Sequence, residues 1–251
     1  GSSVVVGKLI VASFPVFLAS ALRFGSASLI LLPLLFWREK KLSKISAKDW
    51  LFIFLQTLCG VFLFSIFLLN GLKLTGAAES GIITSTTPAV LGLISFFFLK
   101  EQLSLKKWSG IILTLYGVLA INLLSGPVNA EQGSNPLLGN LLVFGAVVGE
   151  ALFTTFRKLT SPNISPLLTT TLMSLIGFAL FLPCAMPEIL SFNFAQITGN
   201  DWIMVIYSGL VITVIAFLLW FNGLSKVPAG TAAVFTGVWP VSAVLLSYLV
   251  L

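Results

Sequence analysis

The chain has 251 residues, of which 57% are hydrophobic and 9% are charged, with a formal net charge of +6 and no histidine. Soluble proteins carry about 25% charged residues, so this composition excludes a soluble domain and predicts an all-α integral membrane protein, because a spanning backbone must satisfy its own hydrogen bonds. The missing histidine excludes Ser-His-Asp and Cys-His catalysis and histidine metal sites, and we expect neither an enzyme nor a cofactor or metal.

The hydrophobic stretches are long enough to cross a bilayer, which takes about 20 residues of helix. They are separated by short connections that contain Pro, Gly, Asn or Ser, the residues that favour turns. In chain order, the predicted spans are a partial helix at 1–12 and then 15–37, 49–72, 76–99, 104–124, 137–158, 164–186, 201–224 and 229–251.

Basic residues are distributed unequally between alternate connections. Eleven Lys and Arg residues lie in one set, at 38–48, 100–107, 157–163 and 225–228, whereas the other set, at 13–14, 73–75, 125–136 and 187–200, contains only Lys73. Because Lys and Arg accumulate on the cytoplasmic side of membrane proteins, we expect the Lys-rich loops to be cytoplasmic and the protein to lie in the bacterial inner membrane. The positive charge does not indicate a nucleic-acid partner.

The chain also contains an internal repeat, which appears when the sequence is shifted by 152 residues. The shift places Asp49-Trp50 on Asp201-Trp202, and it gives twelve identities over the 51 positions from residue 49 to residue 99. Pro88 falls on Pro240 in the same alignment. Asp49 follows a Lys-rich loop but Asp201 does not, so the second copy is inverted in the membrane.

Two inverted five-helix repeats are therefore expected, at 1–125 and 137–251. The alignment predicts ten membrane helices in the native protein, of which about nine are visible here, the first partial and the last missing, because Leu99 aligns with Leu251. Inverted repeats are typical of secondary transporters that bind a solute between the two repeats.

Several short motifs occur in an order that resembles a known transporter family. They are Gly1-Ser2-Ser3 through Lys8, Ala21-Leu22-Arg23-Phe24, Thr87-Pro88, Leu99-Lys100-Glu101-Gln102-Leu103-Ser104, and Trp108-Ser109-Gly110 followed by Gly117-Val118. Together they resemble the EamA-type members of the drug/metabolite transporter superfamily. The resemblance implies a ten-helix membrane carrier, often an exporter of amino acids or related metabolites.

Glu150 is the most informative candidate for a functional residue. It lies inside the span 137–158, about 12 Å from the Lys-rich end at 1.5 Å per residue. A carboxylate at such a depth costs about 3 kcal/mol on insertion scales, so it should face protein or a water-filled cavity. It could carry a proton or bind a substrate amine, with Thr154 one turn away; the alternative is a structural ion pair with Lys8 or Arg23.

Arg23 and Lys8 are the two basic residues that fall within predicted spans. Arg23 could anchor a substrate carboxylate, or it could lock the two repeats together by binding helix carbonyls. Lys8 lies about one turn from the outer end of its helix, where a long side chain can reach the interface, so both a structural and a substrate-binding role stay open.

Proline interrupts two repeat-related helices, at Pro88 and Pro240. Proline removes a backbone hydrogen bond and kinks a helix, so these positions predict two hinges that flank a central cavity. The neighbouring side chains that we expect to bind or gate a substrate are Thr84, Thr87, Phe64, Trp220 and Trp239.

These observations predict a secondary active transporter that exports amino acids or related small metabolites by alternating access, with proton coupling through Glu150 as the preferred mechanism. An uncoupled facilitator and an efflux carrier for organic cations or drugs are the alternatives, and a non-transporting membrane scaffold is a third class. The expected partners are a small-molecule substrate, the lipid bilayer and protons. A monomer is expected, because both repeats occur in one chain.

Overall fold

The structure is a computed structural model that describes residues 6, 9–10, 13–40, 43–75, 77–100, 105, 108–113, 116, 135–236 and 242. Regular structure in this part of the chain is helical throughout. The helices are α1 (Val16–Arg38), α2 (Ala47–Thr57), α3 (Phe64–Leu74), α4 (Ala77–Thr84), α5 (Thr87–Leu99), α6 (Pro136–Leu159), α7 (Pro166–Ser191), α8 (Gly199–Tyr207), α9 (Ala216–Leu224) and α10 (Ala229–Thr236).

Two π-helical segments lie within long helices. The first, π1 (Leu58–Leu63), joins α2 to α3, and the second, π2 (Ser208–Ile215), joins α8 to α9. The repeat shift of 152 carries Leu58–Leu63 onto residues 210–215, which lie inside π2. Segments that the repeat shift aligns therefore both depart from regular helix, and π-bulges of this kind occur frequently at functional sites.

Six helical stretches are long and apolar enough to cross a membrane, and they confirm the all-helical membrane fold. They are Val16–Arg38, Ala47–Leu74, Ile82–Leu99, Pro136–Leu159, Pro166–Ser191 and Gly199–Leu224. Each matches one of the predicted spans to within a few residues. The predicted spans at 1–12, 104–124 and 229–251 lie largely outside the described residues.

The described residues form two compact units, each of which contains residues from both halves of the sequence. Unit 1 comprises the described residues of Gly1–Thr57, Thr160–Lys226 and Val241–Leu251, and unit 2 those of Leu58–Leu159 and Val227–Pro240. These units are a different division of the chain from the two sequence repeats, which remain a prediction.

Unit 1 is organised around the pair α1 and α7. Phe24 of α1 stacks on Phe181 of α7 with ring centroids 5.8 Å apart, and a Cβ placed at Gly177 would lie 3.3 Å from the Phe24 ring. Small residues allow membrane helices to approach closely, which strengthens van der Waals contact. Ile53 of α2 and Leu168 of α7 belong to a second buried cluster in the same unit.

Unit 2 is organised around α6, which contacts α3, α4, α5, α10 and π1. Its core contains Val143, Val147 and Ala151 of α6, spaced four residues apart on one face of the helix, together with Leu91 of α5. One face of α6 therefore fills the core of unit 2. Glu150 directly precedes the core residue Ala151 in the sequence.

Both copies of the Asp-Trp repeat begin a helix in the same way. Asp49 accepts hydrogen bonds from the Ser46 hydroxyl at 2.7 Å, and Asp201 accepts them from the Thr198 hydroxyl and backbone N–H. In each case the hydroxyl also accepts a hydrogen bond from the aspartate N–H, and for Thr198 and Asp201 this arrangement is a complete capping box. The repeated Asp is thus required by the start of its helix.

Each of these aspartates also binds a segment from the other half of the sequence, and both contacts lie within unit 1. The Ser161 N–H donates to Asp49 Oδ1 at 2.8 Å, and the Ser13 hydroxyl donates to Asp201 Oδ1 at 2.5 Å. The arrangement is reciprocal: an aspartate of the first half binds Ser161 of the second half, and an aspartate of the second half binds Ser13 of the first half.

Candidate functional site

The helix predicted over 76–99 is broken just before Pro88, at the turn Ser85–Thr86. Pro88 is the second residue of α5, a position where the missing proline N–H leaves no helical bond unmade. Proline cannot donate to the carbonyl of Thr84 four residues earlier, so α4 and α5 do not form one continuous hydrogen-bond ladder. The predicted hinge at Pro88 therefore coincides with an interruption of the helix.

Three consecutive hydroxyl groups satisfy the carbonyls at this interruption. Ser85 Oγ donates to the Ile82 carbonyl at 2.6 Å, Thr86 Oγ1 to the Ile83 carbonyl at 2.6 Å, and Thr87 Oγ1 to the Thr84 carbonyl at 2.8 Å. Hydroxyl bonds to a carbonyl three or four residues back are typical of bent helices. The interruption is thus bridged by side-chain hydroxyls, which can rotate, whereas a backbone N–H cannot.

Glu150 lies against this hinge. Its Oε2 atom is 3.3 Å from Thr87 Oγ1, a long contact for two oxygens, which usually approach to 2.5–3.0 Å. Thr87 is buried, with 4% of its surface exposed, and Glu150 is partly buried. Of the expected binding residues, Glu150, Thr87 and Thr84 are therefore brought together within unit 2.

The first π-segment packs against the turn of α6 that carries Glu150. A Cβ at Gly149 would lie 2.5 Å from the Cys59 carbonyl oxygen and 3.8 Å from Phe64 Cβ, and a Cβ at Gly60 would lie 2.2 Å from Phe153 Cβ. Such distances exclude any side chain without movement of the backbone. Glycine on both helices therefore lets π1 approach α6 directly beside Glu150.

Arg23 is held in a different setting, within unit 1. Its Nε–H donates to Thr213 Oγ1 at 2.7 Å, and Thr213, which lies in π2, donates its own hydrogen to the Ser208 carbonyl at 3.1 Å. A Cβ at Gly209 would lie 2.1 Å from Ser26 Oγ and 3.2 Å from the Arg23 carbonyl oxygen, so glycine also lets π2 pack closely on α1. Arg23 thus binds a threonine hydroxyl, whereas one expectation from the sequence was that it would bind helix carbonyls.

The remaining expected residues are placed as follows. Thr154, one turn beyond Glu150, is buried with 2% of its surface exposed, and Phe64 is the first residue of α3 in unit 2. Trp220 is partly buried on α9 in unit 1. Lys8, Trp239 and Pro240 lie outside the described residues. Within the described part of the chain, no three His, Cys, Asp or Glu side chains come together as a metal site requires.

Several contributors to these sites were not expected from the sequence. They are Thr213, which accepts a hydrogen bond from Arg23, and the two π-segments. The hydroxyls of Ser85 and Thr86, by contrast, belong to the hydroxyl run before Pro88, where the sequence already predicted a hinge. The residues of π1 and π2 share no sequence motif. The alignment of the sequence with itself at a shift of 152 is the one signal that pairs the two segments.

Comparison with known proteins relates nearly the whole chain to membrane transporters. The sequence model of the EamA-like transporter family matches residues 1–123 and 137–251. The uncharacterized transporter YetK of Bacillus subtilis is 51% identical over 251 residues, which cover all of this chain and 76% of that protein. The uncharacterized transporter YyaM of the same organism is 22% identical, over all of this chain and 82% of that protein.

More distant similarities extend to other organisms and to a solved fold. A WAT1-related protein of Arabidopsis thaliana is 30% identical over 134 residues, covering 47% of this chain. A protein crystal structure superposes with a TM-score of 0.70 at 22% identity, covering 98% of this chain and 82% of that one. That similarity shows a shared fold. Because the family model covers both halves and the Bacillus relative is similar over the full length, the chain belongs to the EamA-like transporter family and is a multi-pass membrane transporter.

Proposed function

We propose that the chain is a secondary active transporter that exports amino acids or related small metabolites across the bacterial plasma membrane by alternating access, with Glu150 as its proton carrier. The observation that carries this proposal is the contact between Glu150 and Thr87 at the broken helix. An ionisable carboxyl group beside a hinge provides a means by which proton binding can bias a conformational equilibrium.

The position of Glu150 supports a role in coupling more than a role in folding. A carboxylate within the apolar region is unfavourable by about 3 kcal/mol or more, and a structural carboxylate is expected to be paired with a cation or held by several donors. Among the described residues, Glu150 instead has one long contact with a neutral hydroxyl, that of Thr87. A carboxyl group in such surroundings can exchange a proton without breaking an ion pair.

Three further features belong to the same proposal. The Lys-rich loops are cytoplasmic, the protein acts as a monomer, and the substrate carries an amine that can approach Glu150 when the site is open to one side. An ammonium group and a proton would then compete for the same carboxylate. Competition of that kind is the simplest basis for exchange of an amino compound against a proton.

The alternatives differ in what drives the flux. An uncoupled facilitator would carry the same solutes without dependence on a proton gradient, and an efflux carrier for organic cations would select a fixed positive charge. The carboxylate of Glu150 beside the hinge is compatible with a cation as substrate, so organic cations form the second candidate class. A scaffold would move no solute at all.

The proposal is tested with purified protein in liposomes that contain radiolabelled amino acids, with and without an imposed pH gradient. Wild type should release at least one amino acid about tenfold faster when the gradient is present, and Glu150→Gln should abolish this acceleration. Glu188→Gln is the matched control, because Glu188 accepts a hydrogen bond from the Leu18 N–H at 2.7 Å, which a glutamine oxygen can also accept.

Each other outcome contradicts part of the proposal. Gradient-driven flux that survives in Glu150→Gln removes Glu150 from the coupling step. Saturable flux that ignores the gradient in every variant identifies a facilitator. Transport of tetraalkylammonium ions in place of amino acids supports the organic-cation carrier, and the absence of any flux across the tested solutes supports the scaffold. Metabolite levels in cells and medium, measured for the same variants, extend the search beyond amino acids.

A further inference from the structure

Thr87 has one hydroxyl hydrogen but two acceptors within reach. The Thr84 carbonyl oxygen is 2.8 Å away and Glu150 Oε2 is 3.3 Å away. A hydroxyl donates one hydrogen bond and accepts two, so Thr87 cannot donate to both oxygens at once. Both contacts of Thr87 are therefore hydrogen bonds at the same time only when the carboxyl group of Glu150 is protonated and donates its own hydrogen to Thr87.

We propose that Thr87 is the positioning residue that links protonation of Glu150 to the hinge between α4 and α5. The inference rests on the proposed role of Glu150 as the proton carrier. When Glu150 is protonated, its O–H donates to Thr87 Oγ1, and the Thr87 hydrogen stays on the Thr84 carbonyl. When Glu150 is ionised, the Thr87 hydrogen turns to the carboxylate and leaves the Thr84 carbonyl.

No proton leaves Thr87 in this exchange. The O–H group rotates about the Cβ–Oγ1 bond, while the titrating proton is gained by Glu150 from water on one side of the membrane and returned to water on the other. The hydrogen bond that is lost on ionisation is one of the three hydroxyl bonds that hold the interrupted helix, beside those of Ser85 and Thr86. Ionisation of Glu150 therefore loosens the hinge, and protonation tightens it.

The position of Pro88 makes this one hydrogen bond important. In a continuous helix the N–H of residue 88 would bind the carbonyl of residue 84 in either protonation state. Proline has no N–H, so the bond between Thr87 and Thr84 replaces the helical bond at this level. The hinge at Pro88 is thus sensitive to the direction in which one hydroxyl points, and that direction depends on Glu150.

Other ionisable groups lie around Glu150 and must be distinguished from it. In the described chain, α5 and α10 carry none within Thr87–Leu99 and Ala229–Thr236. The last turn of α6 itself contains Arg157 and Lys158. The segments packed against α6 contain three further ionisable residues, which are Cys59 in π1, Lys73 at the exposed end of α3, and Glu79 of α4. The side chain of Glu79 lies outside the described part. Among the side chains described here, Glu150 is the ionisable group that contacts Thr87.

The inference is tested by measuring the hinge directly in full-length protein in liposomes. Nitroxide labels are placed at Ile82→Cys on α4 and Phe97→Cys on α5, both of which are exposed, after Cys59 and Cys184 have been replaced by alanine. Double electron–electron resonance then gives the distance between the labels in mildly acidic and mildly alkaline buffer. Wild type should change the ratio of two distance populations by about twofold to tenfold, which is the range that one hydrogen bond supplies.

Four substitutions decide the result. Thr87→Val and Glu150→Gln should lose the pH response, Thr87→Ser should restore it, and Thr86→Val should retain it, because Thr86 has a hydroxyl bond to the Ile83 carbonyl at 2.6 Å but is not the residue in contact with Glu150. A pH response that persists in Thr87→Val, or one that disappears in Thr86→Val as well, overturns the inference, as does a wild-type hinge that ignores pH.

The measurement separates this inference from the proposed function. If wild type shows gradient-driven flux but a hinge distance that ignores pH, Thr87 does not link the proton to the hinge, and the transporter proposal stands. If the hinge responds to pH through Thr87 and Glu150 but no gradient-driven flux occurs, the linkage stands and proton-coupled export is wrong.

Discussion

Glu150 and Arg23 are both charged residues within apolar helices, and each binds a buried threonine hydroxyl near a π-segment, yet the two hydrogen-bond arrangements differ. The Nε–H of Arg23 donates to Thr213, and the Thr213 hydroxyl donates onward to the Ser208 carbonyl, so each of these two hydrogens has one acceptor. Thr87 faces two acceptors with one hydrogen. The first arrangement is satisfied in a single way, whereas the second depends on whether a proton is present.

This difference separates a residue that stabilises the fold from one that can respond to conditions. Arg23 carries a guanidinium group, which stays charged in proteins, and its contact with Thr213 holds π2 on α1. A carboxyl group beside a neutral hydroxyl has no such fixed partner. Both residues were candidate substrate ligands; the contact of Arg23 with Thr213 fits a structural residue, and the coupling role that we propose belongs to Glu150.

The largest effect is expected at the glycines that bring the π-segments against these helices. In Gly60→Ala the new Cβ would lie 2.2 Å from Phe153 Cβ, an atom that cannot move without its backbone, whereas in Gly209→Ala it meets the Ser26 hydroxyl at 2.1 Å, which can rotate. We expect Gly60→Ala to lower the free energy of unfolding by about 3 kcal/mol and Gly209→Ala by about 1 kcal/mol.

Gly223→Ala is the matched control, since nothing lies within 4 Å of a Cβ at that position. Alanine is favoured over glycine inside a helix by about 1 kcal/mol, so this variant should be at least as stable as wild type. Denaturation in detergent followed by circular dichroism gives the three values. A Gly60→Ala protein as stable as Gly223→Ala would show that π1 does not approach α6 so closely.

A smaller effect is expected when each threonine loses its hydroxyl. Thr213→Val leaves the Nε–H of Arg23 without its acceptor in a buried setting, and we expect a loss of about 2 kcal/mol. Thr87→Val removes a bond to one carbonyl, and we expect about 1 kcal/mol. Thermal unfolding midpoints rank the two variants. If Thr87→Val were the more damaging, the hinge hydroxyl would be chiefly structural and the comparison with Arg23 would be reversed.

Much of the fold could be predicted from the sequence, because hydrophobic runs between turn residues mark membrane helices directly. The interruption at Pro88 follows from the chemistry of proline, and the Asp-Trp repeat follows from the way a helix begins. These features depend on residues within a few positions of one another. Local sequence therefore contains the information that determines them.

The arrangement of the candidate site depends on contacts between distant segments and could be predicted only in part. Glu150 and Thr87 were both expected to be functional, but that they face each other follows from the packing of α5 on α6. Thr213 was missed because nothing in the sequence places it opposite Arg23. The π-segments were missed because their residues also suit an ordinary α-helix, so the departure arises from packing around glycine.

The smallest effect concerns the two aspartates that bind across the halves of the sequence. Asp49 is buried, with 3% of its surface exposed, and receives hydrogen bonds from Ser46 and from both the N–H and the hydroxyl of Ser161. Asp201 has a similar set of donors at a partly exposed position. Asparagine has one carbonyl oxygen in place of two carboxylate oxygens, so it can satisfy only some of these donors.

We therefore expect Asp49→Asn to lower stability by about 1 kcal/mol and Asp201→Asn to lower it by less, because water can replace lost hydrogen bonds at the more exposed site. Hydrogen exchange of the Ser161 amide gives a local measure, and it should quicken in Asp49→Asn but not in Asp201→Asn. Equal destabilisation by both variants would mean that the two halves are held together symmetrically. A larger effect at Asp49 would mean that this capping contact contributes more to stability than its counterpart, although both follow from the same repeated motif.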